Sequence, residues 1–115
     1  MGETSVDATV RGPTGEANVT LIVDSGAIYT CLPIDVWRRI GIEPTRMQEF
    51  SLGDGSAMIR AVGNCQISLP FGDTHTTVIL GEPGDAPLLG VVTLEELGLK
   101  LNPIKRTLEP MRMRL

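Results

Sequence analysis

The residues of this sequence best suited to chemistry are Asp24-Ser25-Gly26-Ala27, which directly follow an apolar run at positions 19–23. A carboxylate at the end of a buried strand can take a proton from a water molecule and give one back, which is general acid–base catalysis. Ser25 adds a hydroxyl, and Gly26 lets the chain turn sharply. Because Asp, Ser and Gly are also common turn formers, a purely structural turn is the alternative interpretation.

The residues before Asp24 predict a β-hairpin that ends at this carboxylate. Val6, Ala8 and Val10 alternate with polar residues, which is the pattern of a half-buried strand. Glycine and proline at positions 12–15 predict a turn, and the strand predicted over residues 17–23 becomes continuously apolar as it approaches Asp24. The carboxylate is therefore expected where a strand leaves the core.

The first of two predicted helices follows soon after this motif. Ile34, Trp37 and Ile40 share one face of a helix of about two turns. Pro33 suits its first turn, where no amide hydrogen is needed, and Gly41 suits the left-handed position that ends it.

The second helix is predicted from a capping box, in which Thr93 caps the first turn and Glu96 stands three positions later. Gly98 is expected to close this helix. Further short strands are predicted at residues 28–32, 64–69, 74–80, 99–101 and 107–109.

A hairpin is predicted over residues 50–59, and its tip consists of the turn formers Gly53, Asp54, Gly55 and Ser56. Two glycines at the tip of a hairpin predict a mobile segment, because glycine tolerates backbone angles that other residues avoid.

Length and composition predict a single domain over residues 1–115, of the all-β class with one or two short helices. Thirteen glycines and eight prolines divide the chain into short segments. The formal net charge is −4 and the basic residues gather only near the C-terminus, so nucleic-acid binding is not expected. The C-terminal tail, residues 110–115, is expected to be a solvated end, with docking on a partner subunit as the alternative.

No metal and no cofactor are expected. Cys31, Cys65 and His75 are too few for a structural zinc site, and both thiols are predicted to be small buried hydrophobes in a reducing compartment. The N-terminus lacks the basic and apolar regions of a signal peptide, and no stretch approaches the roughly 20 apolar residues of a membrane span. A cytoplasmic protein with no membrane partner is therefore expected.

The order of these motifs resembles that of the retroviral-type aspartic proteases of clan AA, or retropepsins, and their small single-domain cellular relatives. The hairpin that leads to Asp24 carries the resemblance first. The glycine-tipped hairpin then stands in the place of the flap, at about residues 47–63, and Leu88-Leu89-Gly90 stand in the place of the family's motif of two hydrophobic residues and a glycine. The resemblance covers about residues 5–110.

This resemblance implies a closed, β-barrel-like acid-protease fold with one lobe per chain, and a two-fold homodimer with its active site on the axis. It implies that Asp24 is catalytic and that Ser25, Gly26 and Ala27 support the active-site loop. Ser25, a Thr in many relatives, would brace the two loops across the axis. Such an enzyme is an aspartic endopeptidase, which hydrolyses a peptide or protein substrate with a water activated between two Asp24 carboxyls.

The sequence also departs from the family pattern. Ile28 and Tyr29 occupy a stretch where many retroviral members carry acidic residues, and Val91 follows Gly90 where some members have Arg. The anchoring of a peptide is therefore expected to differ, and the family's substrate preference does not transfer. Asp54 at the flap tip is either a turn residue or a contact to substrate.

Other functions fit the same sequence less well. Ser25 as a nucleophile would need a nearby base, but His75 is predicted to lie on an exposed strand. A noncatalytic dimeric peptide-binding module with the protease fold is the main alternative, and a structural or assembly domain is another. Asp24 favours the enzyme, because a binding module has little use for a carboxylate pair that is costly to desolvate.

Overall fold

The computed structural model describes residues 3–115, which form nine strands and two short helices. The first two residues of the domain predicted over residues 1–115 lie outside the described residues. The mostly β class predicted from the sequence is confirmed. The strands are β1 Ser5–Gly12, β2 Gly15–Val23, β3 Thr30–Leu32, β4 Arg46–Ser51, β5 Ala57–Leu69, β6 Gly72–Leu80, β7 Leu88–Leu89, β8 Leu99–Asn102 and β9 Thr107–Pro110. The helices are α1 Ile34–Arg39 and α2 Val91–Glu96.

The predicted hairpin that leads to Asp24 is confirmed. β1 and β2 pair antiparallel from Ser5 opposite Ile22 to Gly12 opposite Gly15. Ala8 and Val10 are buried on the inner face of β1, whereas Asp7 before them is exposed and Thr9 between them is partly exposed, as the alternation predicts.

One seven-stranded sheet holds β1 to β7 in the order β1-β2-β7-β3-β6-β5-β4. β1 also pairs with β5 through residues 9–11, so that the pairings return to the first strand. The two-residue strand β7 lies between β2, to which it is parallel, and β3, to which it is antiparallel. This central position places residues 88–90 directly beside the end of β2.

The core between these strands is aliphatic. Leu21, Leu32, Ile67 and Leu89 are fully buried and come from four different strands. Since Leu89 belongs to the core itself, the segment beside Asp24 is anchored by burial as well as by strand pairing.

Helix α1 is present as predicted, except that Pro33 is its N-cap and lies one residue before the first turn. Ile40 at its C-terminal end is fully buried, and Trp37 packs on the core while its Nε1–H donates to the Gly81 carbonyl at 2.8 Å. Gly41 follows with a φ of 75°, in the left-handed region that glycine tolerates best.

The predicted start of the second helix is wrong. Gly90 is the N-cap of α2, and Thr93 lies buried in the helix interior instead of capping it. The amides of Val91 and Val92 donate to the carbonyls of residues 27 and 28, at 2.8 and 3.0 Å. Carbonyls from another segment therefore accept the hydrogen bonds of these first-turn amides, and no side-chain cap is needed.

The same two hydrogen bonds explain a second difference. The strand predicted over residues 28–32 is shorter, because the carbonyls of residues 27 and 28 bond to α2 and regular pairing begins only at Thr30. The strand predicted over residues 64–69 is longer in the structure, where these residues are the C-terminal end of β5, a continuous strand of 13 residues.

Candidate active site

Asp24 lies one residue past the end of β2, where the sheet holds its backbone. Ile22 and Val23 pair in parallel with Leu88 and Leu89, and the Asp24 amide donates to the Leu89 carbonyl at 3.2 Å. The Asp24 side chain is partly buried, whereas Ser25 and Gly26 are exposed. The sheet therefore delivers one carboxylate to the surface on a rigid strand end.

The four-residue motif forms a tight turn closed by Asp24 itself. Its Oδ1 accepts the Gly26 amide at 2.8 Å, and its carbonyl accepts the Ala27 amide at 3.1 Å. A Cβ at position 26 would lie 3.2 Å from Asp24 Oδ1, closer than an ordinary contact. Glycine at this position thus lets the carboxylate keep its orientation.

The segment after β7 braces this turn from behind. Besides the bonds from Val91 and Val92, the Gly90 amide donates to Thr30 Oγ1 at 3.1 Å. A Cβ at position 90 would lie 2.4 Å from the Tyr29 carbonyl carbon and 2.7 Å from the Thr30 amide nitrogen. Gly90 therefore permits a close approach of two backbones.

A buried cluster of hydroxyls, which sequence reasoning missed, supports this brace. Thr93 Oγ1 lies 2.7 Å from Thr30 Oγ1 and 2.8 Å from Thr76 Oγ1, and all three side chains are buried. Three threonines in strand and helix segments carry no distinctive spacing, so no signal in the sequence identifies the cluster.

We expect Thr93→Val to lower the free energy of unfolding by about 2 kcal/mol, because it leaves the Thr30 and Thr76 hydroxyls without their shared partner in the core. Urea denaturation followed by circular dichroism measures the change. Thr20→Val is the matched control, since that exposed hydroxyl donates to Asp7 at the surface, and its effect should stay within about 0.5 kcal/mol. Equal effects of the two substitutions would contradict a structural role for the cluster.

The predicted glycine-tipped hairpin is present, formed by β4, β5 and an exposed tip at residues 53–56. Asp54 accepts hydrogen bonds from the amide and the hydroxyl of Ser56, and the hydroxyl bond above all holds the pKa of this exposed carboxyl below its usual value. Asp54 therefore forms the turn. Gly55 has a φ of 87°, and a Cβ at Gly53 would meet nothing within 4 Å.

The inner face of this hairpin rests on the segment that follows the Asp24 turn. Phe50 on β4 packs edge-on against Tyr29, with 6.1 Å between the ring centroids. This aromatic contact links the hairpin to the segment that follows the Asp24 turn.

Asp24, the hairpin and β7 together line one cleft of about 370 Å³. The structure thus brings Asp24, Gly26, Ala27, Gly53 and Leu88 to a common space. It places Ser25 at a different depression, whereas Leu89 and Gly90 are buried behind the cleft. The remaining lining residues are mainly apolar: Ile28, Tyr29, Cys31, Phe50, Leu52, Met58, Ile79 and Ala86, with Ser51 and Asp85.

Sequence reasoning also missed an ion pair at the wall of the cleft. Arg60 on β5 donates from Nε and Nη2 to the two carboxylate oxygens of Asp85, at 2.7 and 3.0 Å. The two residues lie in separate segments, 25 positions apart, and neither belongs to a recognisable motif.

Both cysteines are free and buried, as predicted. Burial, with a further contribution from Asp85, raises the pKa of Cys31 to about 11, and burial raises the pKa of Cys65 to about 12. Because the thiolate is the reactive form, neither side chain is suited to act as a nucleophile at neutral pH.

We therefore expect both thiols of the folded protein to react with a disulfide reagent at pH 7.5 at least about a hundredfold more slowly than in the unfolded chain. Absorbance of the released thiol measures both rates, and denaturation in guanidinium provides the fully reactive reference. Rapid labelling of one thiol per folded chain would contradict this expectation.

A larger depression of about 590 Å³ lies elsewhere, lined by parts of β1 and β2 and by residues 68–70. Its lining includes Thr9, Asn18 and Thr20, whose side chains bond to one another or to Asp7. His75 is exposed on β6, as predicted, and does not line the cleft of Asp24. The smaller cleft is therefore the better candidate site.

Neither a scan against protein-family models nor a search of curated proteins gave a match for this chain. Within residues 3–115, neither helix has the length and apolar character needed to cross a membrane. The same residues hold no group of three or more His, Cys, Asp or Glu side chains arranged for a metal ion. The functional interpretation depends on the geometry of the Asp24 turn and its cleft.

Proposed function

We propose that this protein is an aspartic endopeptidase of the retropepsin type, active as a homodimer in which each subunit contributes Asp24. The observation that carries the proposal is that Asp24, at the end of a rigid strand, shares one cleft with the glycine-tipped hairpin and with Leu88. The return of the strand pairings from β5 to β1 is consistent with a closed acid-protease barrel, one lobe per chain.

Two carboxyls held close together share one proton, because two like charges at that distance are unfavourable. The ionised carboxyl takes a proton from water, while the protonated one donates a hydrogen bond to the carbonyl of the scissile peptide bond. Water attacks the carbonyl carbon directly, so this mechanism needs neither a covalent intermediate nor a cofactor.

The second carboxyl of this pair must come from another chain. Within residues 3–115, Asp85 is the other carboxylate that lines the cleft, and Arg60 binds both of its oxygens. An aspartate neutralised in this way has no reason to share a proton with Asp24. A second copy of the protein would supply an equivalent Asp24.

The surface around Ser25 suits such a partner. Ser25 is exposed and lies at a second depression of about 270 Å³, next to α2 and β8. Most of its lining is apolar: Val91, Leu94, Leu99, Leu101, Pro103 and Met111. Covering this surface in a dimer would remove apolar area from water.

The glycine-tipped hairpin would act as the flap. Its tip is exposed, and just below the tip Phe50 contacts Tyr29 and holds this part of the hairpin over the cleft. Closure of such a hairpin over a bound peptide would exclude bulk water from the carboxyl pair.

The test combines the oligomeric state with cleavage of a peptide library. Light scattering at micromolar concentration should give twice the chain mass, and the library should be cleaved at mildly acidic pH. A strictly monomeric protein that cleaves peptides would contradict the shared site. A dimer that binds peptides without cleaving them would favour the noncatalytic binding module.

A further inference from the structure

One wall of the cleft contains an aspartate whose charge is neutralised by a neighbouring arginine. Asp85 lies in the loop between β6 and β7 and lines the cleft, and Arg60 on β5 engages both of its carboxylate oxygens. The amide of Glu82 donates a further hydrogen bond, of 2.8 Å, to Asp85 Oδ2. Three donors thus hold this carboxylate in place.

The pair is well shielded from solvent. The Arg60 and Asp85 side chains are 18% and 19% exposed, and Glu82 is a weaker, exposed neighbour at 3.7 Å from Arg60 Nη1. The bidentate hydrogen bond from Arg60, together with the Glu82 amide, holds the pKa of the Asp85 carboxyl below its usual value. A bidentate arginine–carboxylate pair of this kind has little free charge to offer to a ligand.

The side chains that line the cleft together with Asp85 are mainly apolar. Cys31, Ile79 and Leu88 line the floor of the cleft, and Met58 lines it from the flap strand. An unpaired carboxylate beside such a surface would attract a cationic side chain, whereas a neutralised one leaves an apolar surface to be filled.

We propose that Arg60 is a specificity-determining residue, which masks Asp85 so that the cleft accepts apolar substrate side chains and discriminates against Lys and Arg at this wall. The inference rests on the proposed peptidase function, whose substrate class it specifies. Arg60 acts through Asp85 and is therefore a positioning residue.

Arg60→Met tests the inference, because it keeps the apolar stem of the side chain while removing the cation that masks Asp85. The kcat/KM values are compared for pairs of peptides that are identical except for Leu or Lys at one position near the scissile bond. The comparison is repeated for each such position. At the position that faces Asp85, the Lys-to-Leu ratio should rise roughly tenfold, as a new charged hydrogen bond allows. The double variant Arg60→Met/Asp85→Asn is the control and should return the ratio to that of the wild type.

A measurement without substrate accompanies the kinetics. NMR titration of the Asp85 carboxyl carbon should show the depressed pKa in the wild type and a rise in Arg60→Met. Circular dichroism verifies that each variant is folded. If Arg60→Met alone fails to fold, the double variant is compared directly with the wild type. If Asp85 is masked in the wild type, removing its charge should not change the Lys-to-Leu ratio, so the double variant and the wild type should have the same ratio.

The outcomes separate the two proposals. A folded and active Arg60→Met with an unchanged ratio would overturn the inference while leaving the peptidase intact. A double variant that loses Lys cleavage relative to the wild type would also overturn it, since Asp85 would then already bind cationic substrates. If no protein in the series cleaves any peptide, the proposed function fails, and the inference fails with it.

Discussion

Replacing Asp24 by Asn is expected to lower peptide cleavage by about 10⁴-fold, a loss typical of removing a catalytic side chain in a hydrolase. Asn keeps the size of the side chain and an oxygen that can accept the Gly26 amide, so the turn should survive. It cannot exchange a proton with water, and general acid–base catalysis is lost. A peptide-library digest of both proteins from acidic to neutral pH measures the effect.

The proposed dimer, in which two carboxyls share one proton, also predicts how cleavage by the wild type depends on pH. Cleavage should be greatest at mildly acidic pH, where the pair holds one proton, and should decline as rising pH removes it. The midpoint of this decline belongs to the pair and not to either carboxyl alone.

Folding and dimerisation of Asp24→Asn are the controls for this experiment. Circular dichroism should be unchanged, and stability should not fall, because the substitution would relieve repulsion between the two like charges that the proposed dimer brings together. Full activity in a folded Asn variant would end the aspartic-protease interpretation.

Replacing Gly90 by Ala is expected to lower the free energy of unfolding by about 3 kcal/mol, the cost of forcing an extra carbon into a filled space. The new Cβ would meet the backbone of Tyr29 and Thr30 at 2.4 to 2.7 Å. Backbone atoms cannot rotate away as a flexible side chain can, so β7 and the segment before β3 must separate. Urea denaturation measures the loss.

Peptide cleavage should fall as well, because this separation moves the carbonyls of residues 27 and 28 that bond to α2 and hold the Asp24 turn. Gly53→Ala is the matched control for stability, since a Cβ there meets nothing within 4 Å. Its stability should change by less than about 0.5 kcal/mol. If Gly90→Ala is as stable as Gly53→Ala, the close backbone approach at Gly90 does not brace the Asp24 turn.

Features that depend on neighbours along the chain were predictable. The alternation of Val6, Ala8 and Val10 predicts the first hairpin, because successive side chains of a strand point to opposite faces. The position of Asp24 at a strand end and the glycines of the 53–56 tip follow from the same local rules. The short helix before Gly41 likewise follows from its apolar spacing and its terminating glycine.

The sequence by itself therefore determined the mostly β class, the hairpins and the place of one carboxylate at the end of β2, because hydrophobic periodicity and turn chemistry act over a few residues. Only the tertiary structure decided how that carboxylate is supported and surrounded. The Thr30–Thr93 contact joins residues 63 positions apart, and the Arg60–Asp85 pair joins residues 25 positions apart. The start of α2 was decided in the same way, by carbonyls of the Asp24 turn. Such partners meet because the folded sheet brings distant strands, loops and helix α2 together, and that proximity leaves no local pattern in the chain.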